Sequence, residues 1–227
     1  MTASFSPVAV VTGGARGIGL AVAQWFLSHG HRVALRDTDA ATLRATEAAL
    51  DDPSRAQAIP CDVSQPAQVT DATVQTESHF GRIDALVNNA GVAVFKPIGQ
   101  TSFEKRQTML GIHLTQQQAT ELGTMGIRVN AVALGPIDTE MAKLVHSAAI
   151  GSDYRDVIPL ERYGTTDTIA NAMGFLRSAA ANSVNAQVPA VDGGFDAAGV
   201  GLPTLRKTAA APARQVAGKT RLRRSDS

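Results

Sequence analysis

The residues best suited to chemistry lie in a glycine-rich loop near the start of the chain, Gly13-Gly14-Ala15-Arg16-Gly17-Ile18-Gly19. Glycines let a backbone turn tightly and approach a ligand closely. A β-branched run before the loop predicts a buried strand, and apolar residues at helical spacing after it predict a helix. The N-terminus of such a helix presents unpaired amides and a positive dipole end, which suit an anion. The alternative is an ordinary glycine-rich turn.

Asp37 favours the ligand-binding interpretation. It ends the second predicted strand, 18 residues after Gly19, close to the ~20 residues expected for an acid that hydrogen-bonds an adenosine ribose. A turn or helix-capping role for this acid remains an alternative. Its charge would repel a 2′-phosphate, whereas Arg16 and Arg36 could each pair with one. We expect NAD as cofactor, with NADP less favoured.

Alternating apolar runs and amphipathic segments predict the elements that position these residues. The predicted strands are Val8–Thr12, Arg32–Leu35, Ala56–Val63, Ile83–Asn88, Ile127–Ala133 and Gln187–Val191. The predicted helices are Gly17–Ser28, Asp39–Leu50, Gln65–Phe80, one opening at Thr101–Glu104, and Asp167–Ala179. This order predicts an α/β fold, a three-layer doubly wound parallel sheet of six strands. Pro60 predicts an edge position for the third strand.

Composition narrows the class of protein. The 227 residues are 44% hydrophobic and 18% charged, which disfavours a disordered chain. Cys61 is the single cysteine, so an internal disulfide is excluded and we expect a small buried side chain in a reducing compartment. No apolar run reaches the ~18 residues that cross a membrane. We therefore expect a cytoplasmic protein without a membrane partner.

The charge is unevenly distributed along the chain. Residues 206–227 contain seven basic residues and one acid, so they carry +6, and the preceding residues carry −5. We expect one domain over 1–205 and a flexible basic tail over 206–227. A nucleic-acid partner is less favoured than a solvated end, because no aromatic residue lies among the tail charges to stack on bases.

Further motifs resemble the short-chain dehydrogenase/reductase family. They occur in family order between about Val8 and Gly201. The motifs are Thr12-Gly13-(x)3-Gly17-Ile18-Gly19, Asp62-Val63, Asn88-Asn89-Ala90-Gly91, Gly126–Val132, Gly135–Thr139, Pro159–Gly164 and Val191–Gly194.

The resemblance implies a Rossmann-like fold and hydride transfer between a nicotinamide cofactor and a small secondary alcohol or ketone. It implies that Asp62 bonds the adenine amino group beside Val63, and that Asn89, Ala90 and Gly91 line the riboses. Ile137 and Thr139 would approach the carboxamide. The cofactor-binding candidates are Gly13, Arg16, Gly17, Ile18, Gly19, Asp37, Asp62, Val63, Asn89, Ala90, Gly91, Ile137 and Thr139. No metal site is expected.

The chain departs from this family at the catalytic residues. The resemblance implies a Tyr-x-x-x-Lys pair, a serine on the preceding strand and a helical asparagine. Tyr154 and Tyr163 are the two tyrosines, and the residues four positions after them are Ile158 and Asp167. The pair is absent, so no catalytic residue is assigned. His113 falls at the asparagine position, where a structural histidine is the favoured interpretation.

The departure can be located along the chain. Phe103–Thr115 resembles the beginning of the asparagine helix, and Ala119–Met125 resembles the end of the later helix that carries the tyrosine and lysine. We expect one fused helix here and the loss of one βα unit of about 30 residues or more. The family's usual dimer face would be disrupted, which leaves a homo-oligomer open.

Three functions therefore remain open. The first is an oxidoreductase that uses another proton source. The second is a catalytically inactive NAD(H)-binding module, and the third is a truncated product without function.

Overall fold

The structure is a computed structural model that describes residues 6–91 and 111–197. Its strands are β1 (Val8–Thr12), β2 (Arg32–Asp37), β3 (Ala56–Pro60), β4 (Ala85–Val87), β5 (Ala133–Leu134) and β6 (Ala190–Val191). Its helices are α1 (Gly17–Ser28), α2 (Ala40–Leu50), α3 (Pro66–Phe80), α4 (Gly111–Gly123), α5 (Glu140–Val145), α6 (Ala148–Val157) and α7 (Thr166–Arg177). The predicted tail and the helix opening at Thr101 lie outside the described residues.

The first four strands form one parallel sheet in the order β3-β2-β1-β4. On one face of this sheet, α1 and α2 pack with side chains such as Val11 and Leu35 in one apolar cluster, which α7 joins through Ala170. On the other face, α3 packs against Val10 and Ala34. Every residue of β1 is buried. The predicted three-layer α/β architecture is confirmed, and so is the edge position of β3, whose Pro60 pairs with Asp37.

The strands of the described residues form two sheets, whereas one six-stranded sheet is expected from the sequence. Within the described residues, β4 pairs with β1, and β5 pairs with β6 in a separate two-stranded parallel sheet. A doubly wound sheet of order 3-2-1-4-5-6 needs a strand beside β4. The βα unit that the sequence is expected to lack would supply that strand. Leu86 in β4 and Leu134 in β5 are 58% and 47% exposed.

The strands of the second sheet are also shorter than predicted. Of the predicted strand Ile127–Ala133, the structure assigns only the end to β5. Ala131 still donates a backbone hydrogen bond to Gln187, at 3.0 Å. The chain is therefore partly paired along one side, which is too little pairing for a long regular strand.

One continuous helix crosses the predicted junction between Thr115 and Ala119. Both residues lie within α4 and are buried, and the Asn185 side chain donates a hydrogen bond of 3.1 Å to the Ala119 carbonyl. The expected fused helix is thus confirmed over the part that the structure describes. His113 is exposed on α4, so the interpretation of a packed structural histidine is wrong.

Helix α7 packs against α1, which in turn packs against the four-stranded sheet. A Cβ placed on Gly174 would lie 2.3 Å from the Trp25 ring, so the absence of a side chain allows this close approach. The N-terminus of α7 is fixed by a reciprocal capping box between Thr165 and Thr168. In residues 6–91 and 111–197, no helix has the length and apolar character needed to span a membrane.

Candidate cofactor site

The glycine loop is shaped by positions that exclude larger residues. Gly13 and Gly17 have φ values of +66° and +60°, a region that glycine adopts without the cost other residues incur. A Cβ on Gly19 would lie 2.0 Å from the Gly13 carbonyl oxygen. The Arg16 side chain makes no capping hydrogen bond at the start of α1, so the first-turn amides remain suited to an anion. Ile18 is partly buried and packs its side chain against the core.

Thr12 and Asn89 join the loop to the end of β4. The Asn89 side-chain amide donates to the carbonyl oxygens of Thr12 at 3.0 Å and Gly13 at 3.3 Å. The Thr12 hydroxyl accepts from the backbone amides of Asn89 and Ala90, each at 3.0 Å, and donates to the Val87 carbonyl at 3.3 Å. Asn89 and Ala90 are therefore brought beside the glycine loop, and Gly91 follows them at an exposed position.

The Asp37 carboxylate lies between the glycine loop and the start of α2. One oxygen accepts from the Ala15 amide and the other from the Asp39 amide, both at 3.1 Å. The capping residue of α2 is Asp39, not Asp37. Asp37 therefore has a turn role in addition to facing the loop, and its half-buried carboxylate occupies the end of β2 where the sequence placed a ribose-binding acid.

The structure separates the two arginines proposed for a 2′-phosphate. Arg16 is exposed and its Nη1 pairs with the Asp39 carboxylate at 3.1 Å. Arg36 is buried, and its Nη2 donates to the hydroxyls of Thr73 at 3.3 Å and Thr76 at 3.1 Å on α3. Neighbouring strand residues point to opposite faces, so the prediction that Arg36 could reach the phosphate is wrong.

Asp62 and Val63 follow the edge strand β3. The Ser64 amide donates to the Asp62 carboxylate at 2.9 Å, and hydrogen bonding from Ser64 lowers the pKa of Asp62. Asp62 is therefore ionised at neutral pH and can accept from an amino group. Val63 is 46% exposed beside it. Cys61 is buried, as expected, and burial raises the pKa of its thiol.

Ile137 and Thr139 belong to the loop that follows β5, a strand of the second sheet. Ile137 is buried and forms an isolated parallel bridge with Gly164, where a Cβ would lie 2.7 Å from the Ile137 side chain. The Thr139 hydroxyl accepts from the Ala142 amide at 3.1 Å and caps α5. The other eleven candidates follow β1, β2, β3 and β4, so the predicted residues fall into two groups.

Both tyrosines lie in an aromatic cluster near this second loop. The Tyr163 hydroxyl is 3.0 Å from the His146 ring nitrogen Nδ1, and the Tyr154 and Tyr163 rings meet edge to face with centroids 5.8 Å apart. Burial raises the pKa of Tyr163, and Tyr154 adds to this effect. A family-type acid/base needs a lysine that lowers the tyrosine pKa, so this environment has the opposite effect.

The sequence missed two residues that support the loop. The Thr46 hydroxyl, on α2, donates to the Ala15 carbonyl at 2.7 Å. Asp39 pairs with Arg16 and caps α2 through the Thr42 amide at 3.0 Å. An aspartate before a predicted helix is a recognisable capping signal, whereas nothing in the sequence links Thr46 to Ala15. No group of three or more possible metal-ligating His, Cys, Asp or Glu residues occurs in the described ranges.

Two family models match the chain in succession. The model described as short chain dehydrogenase matches residues 7–112, and the model described as enoyl-(acyl carrier protein) reductase matches residues 110–196. The two matches meet within the start of α4, close to the junction located from the sequence.

Individual relatives match nearly their whole length. The chain is 30% identical to D-threitol dehydrogenase of Mycolicibacterium smegmatis, over 83% of this chain and 92% of the relative. It is 30% identical to levodione reductase of Leifsonia aquatica, over 87% of this chain and all of that relative. A crystal structure of a blue fluorescent protein from a metagenomic library, in complex with NADPH, superposes with a TM-score of 0.76 at 27% identity. That superposition covers 83% of this chain and 97% of the other.

The alignment with the D-threitol dehydrogenase is longer than the part of this chain that it covers. The alignment with the D-threitol dehydrogenase has 239 positions, whereas 83% of 227 residues is about 188. The difference, about fifty positions, has no residue of this chain. This total exceeds the minimum of about 30 residues expected for the loss of one βα unit.

Proposed function

Because the chain belongs to the short-chain dehydrogenase/reductase family, we propose that the carboxyl edge of β1–β4 binds NAD(H) for hydride exchange with a secondary alcohol or ketone. The observation that carries this proposal is the pair of links across the edge. Asn89 holds the end of β4 against Gly13, and Asp37 holds the end of β2 against Ala15. Ligands of doubly wound sheets bind at such edges.

In this proposal, different residues bind different parts of the cofactor. The amides at the start of α1 receive the pyrophosphate, and Asp37 accepts from the adenosine ribose hydroxyls. Asp62 accepts from the adenine amino group, with the exposed Val63 side chain beside the ring. Asn89, Ala90 and Gly91 line the ribose side of the cleft. Ile137 and Thr139 are proposed for the carboxamide, and the nicotinamide ring supplies or accepts the hydride.

The proton accompanying the hydride has no dedicated side chain in this proposal. The sequence contains no Tyr-x-x-x-Lys pair, and water then exchanges the proton with the substrate oxygen. A positioned acid or base contributes about 10²–10⁴ in rate. We therefore expect turnover lower by that factor than in a relative that has the pair.

A second candidate function is NAD(H) binding without turnover. The absence of a Tyr-x-x-x-Lys pair from the sequence favours it, as does the total of about fifty positions of the D-threitol dehydrogenase alignment that have no residue of this chain. This candidate keeps the same cofactor site and the same residues in it.

Thermal unfolding with each cofactor tests the proposal. A ligand at one hundred times its Kd stabilises the native state by about 2.7 kcal/mol, which raises Tm by roughly 5–11 °C for a domain of this size. We expect this shift with NADH and a smaller shift with NADPH at equal concentration. A transition that neither cofactor moves would overturn the proposed site, and absence of any transition would indicate a product without a stable fold.

Turnover separates the two candidate functions. Purified protein is incubated with NAD⁺ and a panel of secondary alcohols, and with NADH and the matching ketones, while absorbance at the reduced nicotinamide band is followed. Slow change above the protein-free rate supports the oxidoreductase. A cofactor-induced Tm shift with no absorbance change on the whole panel supports the binding module instead.

A further inference from the structure

An ion pair lies at the part of the site that is proposed to bind the adenosine of the cofactor. Arg16 lies on the glycine loop and Asp39 begins α2, and their Nη1 and Oδ2 atoms are 3.1 Å apart. The Asp37 carboxylate joins the same two segments, because it accepts hydrogen bonds from the backbone amides of Ala15 and Asp39. The ion pair is therefore adjacent to the acid proposed to bind the ribose.

The two members of this pair differ in how firmly they are held. Both Asp39 oxygens accept hydrogen bonds from Thr42, from the amide at 3.0 Å and from the hydroxyl at 2.7 Å. These bonds, with a smaller effect of Arg16, lower the pKa of Asp39, so the carboxylate is charged at neutral pH. The Arg16 side chain is 68% exposed. Arg16 can change partner, whereas Asp39 is fixed.

This asymmetry bears on the 2′ position of the ribose, where NADP(H) carries a phosphate and NAD(H) a hydroxyl. A phosphate is a strong bidentate partner for a guanidinium. Two arginines, Arg16 and Arg36, are considered for a 2′-phosphate from the sequence. Because Arg36 is buried against α3, Arg16 is the one that remains near this position. A 2′-phosphate can use Arg16 only by displacing it from Asp39, and it then faces the unpaired charges of Asp37 and Asp39.

We propose that Asp39 is a specificity-determining residue that holds Arg16 in an ion pair and thereby selects NAD(H) over NADP(H). The inference rests on the proposed function, because it concerns the same cofactor site. It assigns the preference to competition for one arginine as well as to the charge of Asp37.

The direct test is Asp39→Asn. Asparagine caps helices about as well as aspartate, so α2 keeps its N-terminus while the ion pair is lost. We expect the Kd for NADPH to fall about three- to tenfold, from the release of Arg16 to the phosphate and the loss of one negative charge. The Kd for NADH should change less than twofold. Both are measured by nucleotide fluorescence titration at fixed low ionic strength, without need of turnover.

Two further variants make the result specific. Asp52→Asn removes a second surface aspartate that pairs with an arginine, Arg55, at 3.4 Å, at the opposite end of the β2–β3 strand pair. This control should leave both Kd values unchanged. In the double variant Arg16→Gln/Asp39→Asn, the gain in NADPH affinity should disappear.

The outcomes distinguish this inference from the proposed function. Normal NADH binding with no NADPH gain in Asp39→Asn overturns the inference alone. A gain that persists in the double variant, or that also occurs in Asp52→Asn, overturns it too, because general electrostatic repulsion then explains the preference. Failure of the unsubstituted chain and all variants to bind either nucleotide overturns the proposed function and the inference with it.

Discussion

The hydroxyl of Thr12 and the backbone amide of Asn89 are joined by a hydrogen bond of 3.0 Å that links the ends of β1 and β4. The same hydroxyl also accepts from Ala90 and donates to Val87. Thr12 is buried, so water cannot readily replace these partners. The Thr12 side chain therefore holds the turn after β4 against the glycine loop, together with the Asn89 side chain.

We expect Thr12→Val to weaken both folding and cofactor binding. The substitution keeps the shape of the side chain but leaves two amides and one carbonyl without their partner, and each such loss costs about 1–3 kcal/mol. The free energy of unfolding should fall by about 3 kcal/mol or more in urea titrations. Thr12→Ser should retain most of it, and Thr70→Val, which removes an exposed hydroxyl bonded within α3, should change it little.

Gly19→Ala should damage the site by steric overlap. The new Cβ would fall 2.0 Å from the Gly13 carbonyl oxygen and 2.7 Å from the Asn89 amide nitrogen, so the loop must move. Overpacking of this kind costs about 1–3 kcal/mol, and we expect at least a tenfold rise in the NADH Kd. The matched change Gly151→Ala, where the nearest outside atom is 3.7 Å away, should leave binding intact; equal losses in the two variants would contradict the prediction.

Tyr163→Phe tests whether this tyrosine serves as the missing acid. We expect kcat for any turnover to change less than twofold, because no lysine stands four residues after Tyr163 and burial raises its pKa. Loss of the hydrogen bond to His146 should lower the free energy of unfolding by about 0.5–1.5 kcal/mol. A loss of turnover tenfold or greater, with NADH binding unchanged, would assign the proton to Tyr163 after all.

Asp84 should make the fold sensitive to acid. Burial alone would raise the pKa of Asp84, but hydrogen bonds from Arg82 and the Val8 amide, and the Arg82 charge, lower it overall. A carboxyl whose pKa is lower in the folded state contributes stability above its unfolded pKa of about 3.9. That contribution is lost as the pH falls through the folded value. Stability should therefore decline below about pH 4.

Urea unfolding between pH 2.5 and 6 measures this effect. In Asp84→Asn, the free energy of unfolding should be lower near pH 6 and fall less steeply below pH 4, because the titrating group is gone. Asp71→Asn, at an exposed position of α3, should keep the slope of the unsubstituted chain. An unchanged slope in Asp84→Asn would show that other carboxylates carry the acid response.

The sequence predicts the first half of the fold well for a physical reason. In β1, α1 and β2, strand pattern, glycine loop and helix periodicity are local signals that agree with one another, and neighbouring parallel strands then bring Asp37 to the loop. The division of the sheet is different. It depends on which strand lies beside β4, and this pairing is between distant segments that no local pattern specifies.

Two side chains show the same limit at the scale of single residues. The guanidinium of Arg36 suits a phosphate by its chemistry, yet strand alternation places it under α3. The apolar neighbours of His113 along the chain favour a structural histidine, yet residues one position apart on a helix point in different directions, and His113 is exposed. Residue type and position along the chain are insufficient where the facing direction decides the role.

The packing of Trp25 on Gly174 has a consequence for folding during synthesis. Helix α1 adjoins the glycine loop and is made early, but the helix that covers its Trp25 face is translated about 150 residues later. The nascent cofactor segment therefore leaves the ribosome with an apolar helix face that has no cover until α7 follows. The first part of the site to be synthesised is therefore completed only when α7 has been made. Chaperone binding and premature termination would both affect the chain before α7 is present.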